Sequence, residues 1–273
     1  MGARYTSQMS SPRDVRIISL NIQHGWNNGN SMPSFFMAEK KMIDNLDRIT
    51  KLIQNYQADV VLLQEVDQIS PLTRKIDQLS YIQARTGHQF SAYGASSELR
   101  RRGKPLYSAG CGIISRYPMT DIENVKFELS FPTPRKGFLS ATISIPAYRQ
   151  AGPPVELTVV SVHFVSFDIL KSTSRMDQIE RMETVLAHKK AVVIGGDLNI
   201  SMRSRHMSTL MSKLNVTTHH LGPNDKHLRT YPAIKPQRRI DWIFASPHLT
   251  FSDYRVFPER VSDHLAVGST ISL

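Results

Sequence analysis

Two hydrophobic rhythms alternate along the chain. Runs rich in Val, Ile and Leu at residues 15–22, 59–63, 156–163, 191–194, 240–244 and 265–271 read as strands, several too continuously apolar to leave a face in water. Residues 89–93, 111–115, 125–129 and 138–145 read as further strands, the last three suggesting an antiparallel meander that turns at Arg116-Tyr117-Pro118. Between the runs, Met42, Ile43, Leu46, Ile49, Leu52 and Ile53 recur at helical spacing over 41–56. Met176, Ile179, Met182, Val185 and Leu186 do the same over 174–187, so two amphipathic helices each bury one stripe. Ser70-Pro71 sets an N-cap before a proline suited to the first helical position and opens a helix to about Thr86; residues 203–214 are weakly helical and 217–239 irregular. The polar residues 1–14 read as a flexible N-terminal arm. With no repeat, low-complexity tract or linker, 15–273 reads as a single domain.

The strands share a way of ending. Val192-Val193-Ile194 runs into Gly195-Gly196, read as a tight turn, after which Asp197 and Asn199 emerge. Asn21 stands at the end of the first strand, Glu65 just after the second, and His163 closes 156–163. Asp241 sits at the start of 240–244, and Asp263-His264 precedes the last strand. Each alone has an ordinary reading as an Asx turn, a cap or a satisfied core histidine. So many strand termini making the same choice is a different matter. Together they offer oxygen ligands for a hard divalent cation, Mg²⁺ or Mn²⁺, with carboxamides to orient water or a phosphoryl oxygen and imidazoles to donate protons or stabilise charge. The absence of cysteine ligands and of a closely spaced histidine pair argues against structural zinc.

Composition adds a partner class. The formal charge of +11 favours polyanions, whether nucleic acid, phosphorylated metabolites or anionic lipid headgroups, and a total does not encode which. Arg100, Arg101, Arg102 and Lys104, in a loop expected over 98–105, are the best candidates for a phosphate grip, joined by Arg239. Phe35-Phe36-Met37 is a candidate lipid contact, although burial is the more ordinary reading of such a triplet. Apolar residues at 40% and charged ones at 21% are ordinary for a globular chain, and no apolar run is long enough to span a bilayer. The single cysteine, Cys111, excludes an internal disulfide and fits a reducing compartment; a cytoplasmic monomer is expected.

Ser19-Leu20-Asn21-Ile22, Leu62-Leu63-Gln64-Glu65-Val66, Ser161-Val162-His163, Gly195-Gly196-Asp197-Leu198-Asn199, Arg239-Ile240-Asp241-Trp242-Ile243 and Ser262-Asp263-His264 together resemble the ordered motifs of the endonuclease/exonuclease/phosphatase, or DNase I-like, superfamily. The resemblance implies a four-layer α/β sandwich, two packed and mainly antiparallel sheets flanked by helices, with metal-dependent phosphoester hydrolysis at one end. It implies that Glu65 is the principal metal ligand, with Asn21 beside it and Asp263 near the metal. Asp197 would position or deprotonate the attacking water and Asn199 orient it or the phosphate. Asp241 would hold His264 against the scissile phosphate, and His163 would stabilise charge or protonate the leaving group. Abasic-site endonucleases of the superfamily usually carry an Asp where this chain has Gln23 and a Tyr where it has His163. His163, with Arg175 and Gln178 on the next helix, is more similar to the branch of DNase I, sphingomyelinases, inositol-phosphate phosphatases and tyrosyl-DNA phosphodiesterases. The first expectation is therefore a DNA nuclease; the alternative is a phosphoesterase of a phospholipid headgroup or inositol phosphate.

Overall fold

Alternation along the first strand shows how the layers arise. In β1 (Asp14–Asn21), Val15 and Ile17 face one way and Ile18 and Leu20 the other, and all four are buried, so both faces of this strand need a covering layer. The computed structural model describes residues 14–26, 38–146, 153–166, 174–219 and 226–273. All of the expected N-terminal arm but Asp14, which belongs to β1, lies outside the described residues.

The described elements follow in order. After β1 come α1 (Glu39–Tyr56), β2 (Val60–Ile69), α2 (Gln78–Thr86), β3 (Phe90–Arg101), β4 (Lys104–Ser115), β5 (Met119–Lys126), β6 (Gly137–Ile145) and β7 (Val155–His163). Then come α3 (Ser174–Leu186), β8 (Val192–Asp197), α4 (Arg205–Lys213), β9 (Thr217–Thr218), β10 (Asp241–Ala245), β11 (Thr250–Val256) and β12 (Val267–Ser272). One six-stranded sheet runs β11-β12-β1-β2-β4-β3 and the other β5-β6-β7-β8-β10-β9. Pairing is antiparallel except for β1 with β2 and β7 with β8, the two places where an intervening helix makes the crossover.

Three apolar layers hold this together. Ile17, Leu62 and Val15 meet Leu139, Val159, Val193 and Ile243 between the sheets. Ile18, Leu20, Val61 and Leu63 meet Met42, Leu46, Ile49 and Ile53 of α1 with Leu79 and Ile82 of α2 on one outer face. Val160, Val162, Ile194 and Trp242 meet Ile179 and Met182 of α3 with Met207 and Leu210 of α4 on the other. Each fully buried aliphatic side chain contributes about 1.5–3 kcal/mol by leaving water. The result is the expected four-layer α/β sandwich. No described helix is long and apolar enough to cross a membrane.

Several local expectations need correction. Gly195 and Gly196 do not turn the chain; both lie within β8. They are glycines for lack of room: a Cβ on Gly196 would stand 1.9 Å from the Val162 carbonyl oxygen, and one on Gly195 would stand 2.7 Å from Leu62 Cδ1 of the facing sheet. The expected loop over 98–105 is a hairpin, β3 running to Arg101 and β4 starting at Lys104, with Arg102 (φ 50°) and Gly103 (φ 78°) as a two-residue turn. The helix expected from Ser70 lasts one 3₁₀ turn: Ser70 does cap it, but Arg74 and Lys75 adopt left-handed backbone and the chain restarts as α2 on an Asp77 cap. The strand expected over 125–129 begins at Met119 and ends at Lys126, and β11 and β9 were not anticipated.

Candidate active site

Registers bring the strand ends to one rim. Asn21 pairs with Gln64 across β1 and β2, while Asp197 pairs with His163 on one side and Asp241 on the other. Glu65 departs from the expected position: β2 continues past it to Ile69, and Glu65 sits in a bulge where the register to β4 shifts between Gln64 and Val66. Its φ of 54° re-aims the side chain toward the other sheet, the usual use of a bulge beside a site. Below the rim, buried Gln64 donates to Ser161 Oγ, which donates to Leu63 O, so a polar stitch joins the two sheets under the cleft.

At the centre stands Asp197, 2% exposed. Its Oδ2 accepts from Asn21 Nδ2 at 3.2 Å and faces His163 Nε2 at 3.4 Å and His264 Nε2 at 3.7 Å; its Oδ1 accepts the Asn199 amide at 3.1 Å. Asn199, in left-handed backbone, donates its side-chain amide to Phe164 O. His264 Nδ1 is held by both oxygens of Asp241, at 2.9 and 3.1 Å, and the buried Thr230 hydroxyl donates to Asp241 Oδ2. Asp263 lines the same cleft, its Oδ1 accepting from Ser262 Oγ.

Glu65 has different company on its two oxygens. Oε1 accepts from Lys136 Nζ at 3.2 Å and lies 3.9 Å from His163 Nδ1; Oε2 faces His24 Nε2 at 3.6 Å. Lys136 Nζ also approaches His163 Nδ1 at 3.4 Å. His24 Nδ1 bonds Asp67 Oδ1 at 2.7 Å.

The electrostatics follow from these neighbours. Burial opposes ionisation of Glu65, but Lys136 above all, then His24, His163 and His264, outweigh it and hold the carboxyl well below the usual range. Asp197 is likewise buried, yet His264 and then His163 bring it down to about 2. Burial wins at Asp241 and Asp263, whose carboxyls rise. Burial pushes His264 down, but Asp241 and Asp197 raise it well above its ordinary value, so it stands as an imidazolium. Burial and then Lys136 lower His163, leaving a neutral ring. A permanent anion at Asp197, a cation at His264 and a neutral base at His163 therefore share one cleft of about 530 Å³.

Not every sequence candidate reaches this cleft. Arg100, Arg101, Arg102 and Lys104 sit at the hairpin tip, beyond the Ser96, Ser97 and Tyr107 that line the cleft from β3 and β4. Arg100 is bonded to Glu98 at 2.8 Å. Arg239 turns away, its guanidinium 3.9 Å above the Trp242 ring and donating to His219 O, and its neighbour Arg238 lines the cleft instead. Sequence reasoning missed Lys136, Thr230 and Tyr231, whose ring centroid lies 4.7 Å from that of His264. Thr230 and Tyr231 fell in a stretch without periodicity, and Lys136 gave no signal beyond the glycine that follows it. Cys111 is buried, and burial pushes its thiol up to about 12, which fits the small buried residue that its glycine-rich flanks suggest.

The donor chemistry suits a hard cation. Glu65, Asp263 and Asn21 line the same cleft, and Asp197, Asp241 and His264 bring ligand atoms within 4.8 Å of one another. Within that trio Asp241 and His264 are already bonded to each other through His264 Nδ1.

The comparisons agree with the fold. An endonuclease/exonuclease/phosphatase from Beutenbergia cavernae superposes with a TM-score of 0.74 at 21% identity, over 96% of this chain and 72% of that one. The human Nocturnin catalytic domain, solved with a bound sulfate anion, gives 0.67 at 18% identity over 95% and 93%. TDP2 of D. rerio, solved with a single-strand DNA product, gives 0.63 at 18% identity over 95% and 99%. None of the curated proteins matches the sequence. The sequence profile of the Endonuclease/Exonuclease/phosphatase family matches residues 18–264, and with the sandwich and its rim of carboxylates and imidazoles this shows that the chain belongs to that family of phosphoester hydrolases.

Proposed function

We propose that the protein is a divalent-metal-dependent phosphodiesterase that cleaves DNA. The observation that carries this reading is the convergence of Glu65, Asp197 and His264 on one cleft, with the cation-rich β3–β4 hairpin rising from its edge. A bound cation, Mg²⁺ or Mn²⁺, would be held by Glu65 with Asn21 and Asp263 and would supply charge neutralisation to the phosphoryl oxygens. Asp197, ionised at every working pH, is a strong acceptor and a weak base, so it orients the attacking water and Asn199 helps to hold it. His264, charged and braced by Asp241 and Thr230, takes up the negative charge that grows on a non-bridging oxygen. His163, which lies between Glu65 and Asp197, and Lys136, which bonds Glu65 Oε1, are placed to stabilise the charge that develops on the leaving oxygen.

The net charge and the hairpin favour a polyanion, and the TDP2 fold-mate with its single-strand product is a further reason to put DNA first. A second reading, a phosphoesterase of a lipid headgroup or inositol phosphate, has one specific support. Leu99 (58% exposed) and Leu106 (42% exposed) flank the hairpin cations, and Phe131 is exposed on the loop between β5 and β6. The candidate lipid contact Phe35-Phe36-Met37 lies outside the described residues.

A substrate panel separates the readings: single-stranded and plasmid DNA, RNA, 5′-tyrosyl DNA, inositol phosphates and sphingomyelin vesicles, each with Mg²⁺, with Mn²⁺ and with EDTA. Cleavage of DNA that disappears in EDTA and in Glu65→Ala supports the first. Intact DNA beside turnover of a headgroup or inositol phosphate moves the assignment to the second.

A further inference from the structure

His24 has entered so far only as a neighbour that helps to keep Glu65 ionised, yet it is held with unusual care. β1 ends at Asn21, and the chain turns through Gln23 (φ 49°), His24 (φ 51°) and Gly25 (φ 74°) in left-handed backbone. Two consecutive non-glycine residues in that region cost about 1–2 kcal/mol each, an expense usually found where a side chain must be aimed. Fully buried Gln78 fixes the turn by donating to His24 O at 2.7 Å, and its Oε1 accepts the Asp67 amide at 2.9 Å. One carboxamide thus ties the backbone of His24 to that of Asp67, and the Asp67 carboxylate, 1% exposed, bonds His24 Nδ1. The ring rests against Trp26 with centroids 4.8 Å apart.

All this leaves Nε2 directed at Glu65 Oε2, 3.6 Å away, which is too long for an N–H···O bond. Two donor atoms each about 2.1 Å from a common ion stand roughly 3.0–3.4 Å apart, close to that separation. Nδ1 on a carboxylate with Nε2 presented is also the arrangement that fixes the tautomer of a metal-binding histidine. The other Glu65 oxygen accepts from Lys136, which leaves Oε2, the oxygen beside His24, to share a cation with it.

We propose that His24 Nε2 joins Glu65 Oε2 in binding one divalent cation, so that the centre is a mixed nitrogen and oxygen site that prefers Mn²⁺ or Co²⁺ to Mg²⁺. An imidazole donor suits the transition ions, whereas Mg²⁺ favours oxygen alone. The proposal rests on the reading of Glu65 as a cation ligand and names the ion class it takes.

The test uses the full chain stripped with EDTA and titrated with Mn²⁺ and with Mg²⁺ by calorimetry, and with Mn²⁺ followed by pulsed electron paramagnetic resonance. Wild-type protein binds Mn²⁺ about tenfold or more tightly than Mg²⁺, and the bound Mn²⁺ shows coupling to an imidazole nitrogen. His24→Asn, chosen because Asn tolerates the left-handed backbone, abolishes that coupling and weakens Mn²⁺ about 10–100-fold while Mg²⁺ changes little. His163→Gln retains the coupling. Absence of nitrogen coupling in the wild type overturns the proposal without recourse to any variant. Coupling and affinity unchanged in His24→Asn, with both ions lost in Glu65→Gln, overturns it while leaving Glu65 as the ligand. Unchanged binding in Glu65→Gln overturns both.

Discussion

Lys136 places its ammonium 3.2 Å from Glu65 Oε1 across the gap between the sheets, arriving from the residue before β6 to meet the bulge in β2. A lysine with only 12% of its side chain exposed is costly to hold unless it is paired, and here it is paired to a carboxylate and adjoins a neutral imidazole. Lys136→Met therefore releases the strongest of the forces that keep Glu65 ionised. The Glu65 carboxyl rises, the acid limb of the pH–rate profile moves to higher pH, and kcat falls by about tenfold or more. An unchanged acid limb in Lys136→Met would remove Lys136 from the account.

Asp241→Asn tests the opposite limb. His264 owes its raised pKa first to Asp241 and then to Asp197, against the burial that lowers it. Because its folded value lies above the unfolded one of about 6.5, the stability from this pair is complete below that pH and is lost as pH rises through the folded value. Asn in place of Asp241 lowers the pKa of His264, so activity declines at lower pH than in the wild type and the alkaline stability loss flattens. Paired pH–rate and urea-unfolding series measure both.

Asp197→Asn keeps the size of the side chain but removes the central anion. The amide retains a weaker acceptor for Asn21 and the Asn199 amide, it no longer supports the charge on His264, and under the proposed function it would orient the attacking water less strongly. Loss of about a hundredfold or more in kcat with KM little changed is expected, measured on whichever ester the substrate panel identifies. A comparable loss confined to KM would mean that Asp197 binds substrate rather than acting in the transition state.

Replacing Arg100, Arg101, Arg102 and Lys104 together by Ala tests the hairpin. If it grips a phosphate backbone, cleavage of DNA falls relative to that of a small diester such as bis-p-nitrophenyl phosphate. The salt dependence of DNA binding also becomes shallower, by about 0.9 in slope for each duplex phosphate that the hairpin no longer neutralises. An unaltered salt slope would take the hairpin out of DNA recognition and leave its exposed leucines as the more informative feature.

Gly196→Ala destabilises more than Gly195→Ala. The added methyl at 196 meets the Val162 backbone, which cannot yield without breaking the pairing of β7 with β8, whereas at 195 it meets the end of the Leu62 side chain. A cost of about 1–3 kcal/mol or more for the former is in the range of overpacked cores, and urea denaturation reads the order directly.

The layers were legible because their signals are periodic. The α1 stripe through Met42, Leu46, Ile49 and Ile53 and the apolar runs around Leu62, Val159 and Ile194 announce which faces are covered. The strand ends that bear Asn21, His163, Asp197 and Asp241 were readable for the same reason, since the polar residue interrupts the run. What could not be read depends on pairing. The bulge at Glu65 exists only against β4, the crowding at Gly195 and Gly196 only against a neighbouring strand and the opposite sheet, and the hairpin of 98–105 only through register. Lys136 belongs to the same class, for its role comes entirely from a partner 71 positions away in sequence.

The stitch from Gln64 through Ser161 to Leu63 has a consequence of its own. Glu65 rides on one sheet and Asp197 on the other, so a small slip of one layer over its neighbour would detune the hydrolytic machinery well before the protein melts. Catalysis thereby becomes a strain gauge for the seam on which it is mounted.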